Sequence, residues 1–311
     1  MNTAAAAIAF GRSKVVSQFS DYAQLTKSRV TTLIVVTAWC GFWFGAEKAG
    51  LPVVSWSLFH ALLGIGMVSS GSAALNEVME RDLDCKMRRT KSRPIPSGRM
   101  SLLHATAVGL FLTLGGLIYL ALFTNWLTGA MAFLTSAVYL LGYTPLKRVS
   151  PICTFVGAFP GAMPGVLGWT AACNRLSWGA LALFAIVFFW QFPHFFSIAW
   201  MYNEDYARAS IHMLPVAEPD GRSTRRRIFG YSLALIPVSL APSLIGMTGL
   251  VYAGGALFLG VLLFYSGVRL NLLDTPISDG LARTRARQLF LCTIVYLPLL
   301  FALMMSDAVR G

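Results

Sequence analysis

The stretch NEVMERDLDCKMRRTKSRPIPSGR, Asn76 to Arg99, decides how the rest of the chain is read. It holds four of the thirteen acidic residues (Glu77, Glu80, Asp82 and Asp84) and seven of the twenty-five lysines and arginines. Both flanks are apolar runs long enough to cross a bilayer. In a helix, Asn76, Glu80 and Asp84 recur at i, i+4 and i+8 and stand about 6 Å apart on one face. Three oxygen-bearing side chains in a row suit a hard cation such as Mg²⁺, which is shared between one or two carboxylates and substrate phosphates. Lys86, Arg88, Arg89, Lys91 and Arg93 follow directly. Acids for a metal followed by bases for an anion predict a metal–diphosphate site at a membrane surface. On spacing alone a second reading competes, because a charged loop beside a membrane helix also serves as a topology signal, with acids added for solubility.

Composition sets the class. The 311 residues are 56% hydrophobic and 12% charged, with a mean hydropathy of +0.64. A soluble chain carries about 25% charged residues, so this is an all-α polytopic membrane protein. Its net charge of +12 reports topology first and does not call for nucleic acid. The N-terminal residues lack the apolar core of a secretory signal; an amphipathic transit peptide stays open, since Arg12 and Lys14 precede the first acid, Asp21. The five cysteines are scattered without CxxC spacing and read as packing residues.

Nine apolar segments are long enough to span: Val30–Ala46, Trp56–Leu75, Leu102–Phe123, Leu127–Leu146, Ile152–Ala172, Trp178–Met201, Phe229–Met247, Val251–Val268 and Leu289–Met305. Pro193, Pro237 and Pro242 are candidate kinks. With the N-terminus in the cytoplasm and the C-terminus outside, 22 of the 25 Lys and Arg residues fall inside, leaving Lys48, Arg175 and Arg310 outside. Only Glu47 and Asp307 among the acids lie outside. Acids contribute little to topology, so their concentration on one face points to chemistry there. A second cluster, Trp190–Pro215, follows span six and carries Glu204 and Asp205. Acid-bearing loops after spans two and six could clamp one diphosphate through shared metal ions.

NxxxERDxDxxMxRTxxRPxPSG, read from Asn76 to Gly98, resembles the first aspartate-rich motif of the UbiA superfamily of intramembrane prenyltransferases. LTKSRV (Leu25–Val30), YTPLKR (Tyr143–Arg148), GAFPGAMPGVLGW (Gly157–Trp169), WQFPHF (Trp190–Phe195) and EDYARASIHMLP (Glu204–Pro215) are similar to segments of its heme O synthase branch. The likeness runs from about residue 20 to about residue 230. It implies a UbiA-type fold, with nine helices around a central cavity. It also implies Mg²⁺-assisted transfer of a farnesyl group from farnesyl diphosphate to a vinyl group of heme B. The domain layout that follows is a tail at 1–29, one transmembrane domain at 30–306 with active-site loops 76–100 and 202–228, and a tail at 307–311. Implied partners are the two substrates, the bilayer and a heme-handling membrane protein such as a downstream heme A synthase. The expected location is a bacterial inner membrane, with the mitochondrial inner membrane second.

The resemblance places the metal on Asn76, Glu80 and Asp84, with Asp205 from the second motif. Where related prenyltransferases carry further Asp residues, this chain has Tyr202 and Tyr206, which leaves a second metal site open. It places the diphosphate on Lys27, Arg89, Arg93, Lys147 and Arg148. Ser28 stands where a proline is common, Ser210 where a glycine is usual, and His212 where a proline is usual. His194, an ionisable group within a span, is the candidate heme contact, as axial ligand or propionate partner. It lies eleven residues from Asp205, about 16 Å along a helix. Two rivals stand beside this reading: a UbiA-type enzyme with a quinone-precursor acceptor, and a transporter whose acids bind a coupling cation.

Overall fold

The computed structural model of the chain describes residues 18–273 and 275–309. Arg12, Lys14 and Arg310 of the orientation count, and most of the expected N-terminal tail, lie outside the described residues. Among the described residues the nine expected segments appear in order as nine long helices: α1 (Ser28–Ala49), α2 (Trp56–Asp84), α3 (Leu102–Phe123), α4 (Trp126–Leu146), α5 (Cys153–Cys173), α6 (Trp178–Met201), α7 (Arg222–Leu244), α8 (Leu250–Asn271) and α9 (Gly280–Ser306). Residues 18–25 and two short pieces, Asn203–Arg208 and Leu214–Ala217, are also helical. Among the described residues there is no strand, only an isolated bridge between Thr248 and Ala308.

Local chemistry sets the helix ends. Ser55, Ser101, Asn125 and Asp279 each cap a helix by accepting a backbone N–H three residues on. Gly50 ends α1 with φ 66°, a conformation that costs glycine nothing. The expected spans Leu102–Phe123 and Trp178–Met201 agree at both ends, whereas α2, α7 and α9 run further into the charged loops. α2 continues to Asp84, and α7 and α9 begin at Arg222 and Gly280. Hydropathy marks where lipid ends, but the backbone keeps its hydrogen bonds for as long as no residue breaks them. α6 and α7 continue past Pro193, Pro237 and Pro242.

Eight of the nine helices are long and apolar enough to cross a membrane, which makes the protein multi-pass. The exception is α5, and its position explains its composition. Fourteen of its 21 residues are buried, so it faces protein rather than lipid and is relieved of the need to be greasy. Its small residues instead allow close backbone approach. A Cβ on Gly168 would collide with the carbonyl of Ala38 in α1, and one on Gly41 would collide with the carbonyl of Gly165. The α1–α5 contact therefore excludes any side chain at these positions.

Gly168→Ala should destabilise the protein by about 1–3 kcal/mol, as overpacking does, and lower the midpoint of thermal unfolding in detergent. Gly254→Ala in α8, where an added Cβ meets nothing within 4 Å, should leave that midpoint unchanged or slightly raised. Equal midpoints for the two variants would refute the tight α1–α5 contact.

Candidate active site

The last turns of α2 carry Asn76, Glu80 and Asp84 on one face, and all three are buried. A buried carboxylate is costly unless it is paired. Each of the three is met by a cation from a different part of the chain. Lys27, just ahead of α1, donates from Nζ to Asn76 Oδ1 at 2.6 Å. Lys147, just after α4, donates to Glu80 Oε1 at 2.6 Å. Arg93, from the loop after α2, donates from Nη1 to Asp84 Oδ2 at 2.6 Å. The Asn76 amide nitrogen donates in turn to Thr144 Oγ1 at 3.0 Å, and Thr90 Oγ1 donates to the Asp84 carbonyl at 3.0 Å.

The two lysines sit in different electrostatic surroundings. Burial, reinforced by the Arg93 charge, pushes the Lys27 ammonium down to about 8. Burial acts the same way, and most strongly, on Lys147, but the Glu80 carboxylate in contact with it and the Tyr143 and Tyr139 hydroxyls together outweigh burial and hold that ammonium well above the usual lysine range.

A cavity of about 420 Å³ opens beside this ladder. Its charged end is lined by Lys27, Arg89, Arg93 and Lys147 against Glu80 and Asp84, four cations to two carboxylates. That surplus suits a polyanion such as a diphosphate. Further in, the wall is largely apolar, with Ile34, Ile65, Val68, Ala132, Pro164 and Leu167. Gly157, Pro160, Gly161 and Pro164 give α5 a face of small residues towards the cavity, and the space is filled from opposite sides. The Tyr143 ring packs where a Cβ on Gly157 would stand, and the Gln191 amide where one on Gly161 would stand. Gln191 is buried and donates from Nε2 to the Ala158 carbonyl at 2.9 Å.

α4 changes winding at the cavity. Val138–Tyr143 form a π-helical turn, and Thr144 Oγ1 donates back to the Tyr139 carbonyl at 2.9 Å. Such widened turns recur at functional sites. Here the turn leads directly into Thr144 and Lys147, while Tyr139 and Tyr143 stack at 5.6 Å on the cavity wall. Lys147 Nζ lies 4.4 Å from the centre of the Tyr143 ring.

The donor set fits one Mg²⁺ shared with a diphosphate. Asp84 Oδ1 is buried without a hydrogen-bond partner, and Glu80 lines the same cavity. Among the described residues no three Asp, Glu, His or Cys side chains gather closely enough to hold a metal by themselves. Oxygens from outside the protein, of water and phosphate, would complete the shell, as is usual for this ion.

The structure brings together six of the ten expected residues at the cavity: Lys27, Glu80, Asp84, Arg89, Arg93 and Lys147. Asn76 stands behind them, holding Lys27. Arg148 turns outward, donating to the Met79 carbonyl at 2.9 Å. Asp205 is not brought to the metal-side cluster. It pairs with Arg208 in a neighbouring surface groove. The positions where related enzymes carry Asp, Tyr202 and Tyr206, instead flank the Arg89 guanidinium at 5.1 and 5.7 Å. His194 does not line the cavity either. Its Nδ1 lies 2.9 Å from Thr293 Oγ1 of α9, and its ring stacks on Trp190 at 4.7 Å.

The two serine departures find local explanations. Ser28 is the first residue of α1, the helix position that best accepts proline. Ser210 has φ 54°, the left-handed region that favours glycine.

Sequence reasoning passed over Gln191, Tyr139 and Tyr143, although Gln191 is a polar residue inside an apolar span. It also gave no role to Glu77, which is fully buried behind the ladder with neither carboxylate oxygen hydrogen-bonded.

Comparison with known proteins agrees with this geometry. The model of the UbiA prenyltransferase family matches residues 33–291. The chain is 56% identical over 307 residues to a protoheme IX farnesyltransferase of Koribacter versatilis, covering 99% of both chains. It is 47% identical to that of Solibacter usitatus, covering 92% of this chain and 98% of the relative. These matches extend the likeness beyond residue 230 into the last three spans. Among solved structures, a digeranylgeranylglyceryl phosphate synthase superposes with a TM-score of 0.76 at 14% identity, over 94% of this chain and 98% of the other. A UbiA homolog from Archaeoglobus fulgidus bound to GPP and Mg²⁺ gives 0.65 at 14% identity, over 92% and 99%. At such identities the structural likeness speaks to the fold alone. Helices, cavity and relatives agree: the chain belongs to the UbiA prenyltransferase family, within the branch that holds these protoheme IX farnesyltransferases.

Proposed function

We infer that the protein transfers a farnesyl group from farnesyl diphosphate to a vinyl group of heme B in a Mg²⁺-dependent reaction, giving heme O. The observation that carries this reading is a single cavity with a cation-rich, carboxylate-bearing end and an apolar interior, in a chain 56% identical to a protoheme IX farnesyltransferase. The A. fulgidus homolog bound to GPP and Mg²⁺ supports a prenyl diphosphate as the donor. The cation-coupled transporter falls with the family assignment.

Lys27, Arg89, Arg93 and Lys147 take the diphosphate oxygens, so that fixed positive charge meets the negative charge growing on the leaving group. Glu80 and Asp84 would hold a Mg²⁺ ion, which would supply further positive charge to the departing diphosphate. The prenyl C1–oxygen bond breaks and leaves an allylic cation in the apolar interior, where the wall keeps water away. Tyr139 and Tyr143 offer ring faces to that cation. A vinyl carbon of the acceptor closes the new carbon–carbon bond. Water then adds to the resulting carbocation and one proton is released, which gives the hydroxyethylfarnesyl side chain and free diphosphate.

The bacterial relatives and the 22-to-3 distribution of basic residues support a bacterial inner membrane, with the charged helix ends in the cytoplasm. The geometry supports a packing role for His194, between α6 and α9, over contact with heme.

Purified protein given heme B, farnesyl diphosphate, Mg²⁺ and 4-hydroxybenzoate should yield farnesylated hydroxyethyl heme by chromatography and mass spectrometry. Prenylated benzoate with unmodified heme would move the acceptor to quinone precursors. Asp84→Asn should lower turnover by roughly 10²-fold or more while membrane insertion is retained, and chelating Mg²⁺ should have the same effect on the unaltered protein. A near-normal rate in the variant would remove Asp84 from the metal site. His194→Ala should cost about 1–3 kcal/mol of stability through the lost hydrogen bond and stacking, with the KM for heme unchanged. A tenfold rise in that KM would restore the heme contact.

A further inference from the structure

A second concavity lies beside the cavity, on the side of the charged loops. It is lined by Arg88, Arg208, Arg283 and Arg287, by Glu204 and Asp205, and by Tyr202. Two of the arginines are spoken for: Arg208 pairs with Asp205, and Arg283 reaches Glu204 at 3.4 Å. Arg88 and Arg287 are exposed and, among the described residues, have no ion-pair or hydrogen-bond partner, so the groove presents two guanidinium groups without a facing carboxylate there.

Neighbouring residues of the chain line the groove and the cavity. Arg88 faces the groove and Arg89 the cavity; Asp205 faces the groove and Tyr206 the cavity. Arg89 itself forms the partition, lying over the rings of Tyr202, on the groove side, and Tyr206, on the cavity side. Its Nη2 donates to the Tyr206 hydroxyl at 3.3 Å. α6 runs past both spaces, with Ile198 in the cavity and Met201 in the groove.

The charged end of the cavity is matched to the donor diphosphate, so the acceptor must reach the prenyl carbon from beside it. A porphyrin acceptor carries two carboxylates on one edge and its vinyl groups on others. We propose that this groove binds the two propionates of the acceptor through Arg88 and Arg287, which leaves a vinyl edge free to extend over the Tyr202–Arg89–Tyr206 partition towards the cavity. Guanidinium groups are suited to carboxylates by their paired donors. The pairing of Asp205 with Arg208 gives that acid a place in the groove rather than at the metal. The assignment rests on heme B being the acceptor.

The test compares Arg88→Gln/Arg287→Gln with the unaltered protein in nanodiscs of phosphatidylcholine alone, using heme B and its dimethyl ester. The double variant should raise the KM for heme B about tenfold, a discounted value for exposed charge pairs, with the KM for farnesyl diphosphate unchanged. The ester should bind the unaltered protein about as weakly as heme B binds the variant, and the variant should bind acid and ester alike. Arg226→Gln/Arg227→Gln, which removes the same charge from the exposed start of α7, should leave all these constants as they are. Equal losses for acid and ester, an unchanged KM for heme B, or an effect seen only when anionic lipid is added would overturn the groove; the last would make it a headgroup site. Heme O formed normally alongside any of these results would leave the proposed reaction standing. If the unaltered protein neither binds nor farnesylates heme B, the reaction and the groove fall together.

Discussion

Two carboxylates buried on one helix face have to be answered by positive charge, and the amide beside them by hydrogen bonds; the charged end of this protein is built around that requirement. Lys27 arrives from ahead of α1, Arg93 from the loop after α2, and Lys147 from the end of α4. α2 is thus tied to three separate parts of the chain through its own side chains. Removing one member of a buried pair costs about 3–5 kcal/mol, because the remaining charge is left unanswered. The arrangement that holds the helices together also sets out cations around the place where a diphosphate would lie.

The interior obeys a different constraint. A cavity for a long apolar chain needs a wall that keeps its distance without collapsing, and α5 supplies one. Its small residues face the space on one side, and on the other its backbone meets that of α1 with no room for a side chain. The same glycines and prolines leave it without the continuous apolar stretch that the other eight helices carry. Its burial and its composition are therefore two expressions of one role.

The loops after α2 and α6 meet where Arg89 lies over Tyr202 and Tyr206, the two positions at which the resemblance leads one to expect acids. An arginine between two aromatic rings is a rigid, positively charged partition, whereas an acidic cluster would be a second metal site. Asp205 pairs with Arg208 there, apart from the α2 face.

Much of this was legible in order along the chain. The helices, their sequence and most of their apolar boundaries follow from hydropathy, because for eight of the nine lipid demands a continuous apolar stretch whatever the neighbours are. The metal-side face of α2 follows from helical spacing, since i, i+4 and i+8 coincide on any α-helix. What the sequence by itself could not determine was which side chains meet across helices. Lys27, Arg93 and Lys147 are basic residues in the sequence, and only tertiary packing gives each one its acceptor. The π-helical turn in α4 leaves no compositional mark, yet it sits at the approach to Lys147. His194 and Asp205 carry chemistry that invites a role, but packing turned the first towards Thr293 and the second into a neighbouring groove. Spacing fixes a residue's angle around its own helix; only the packed neighbours decide what lies at that angle.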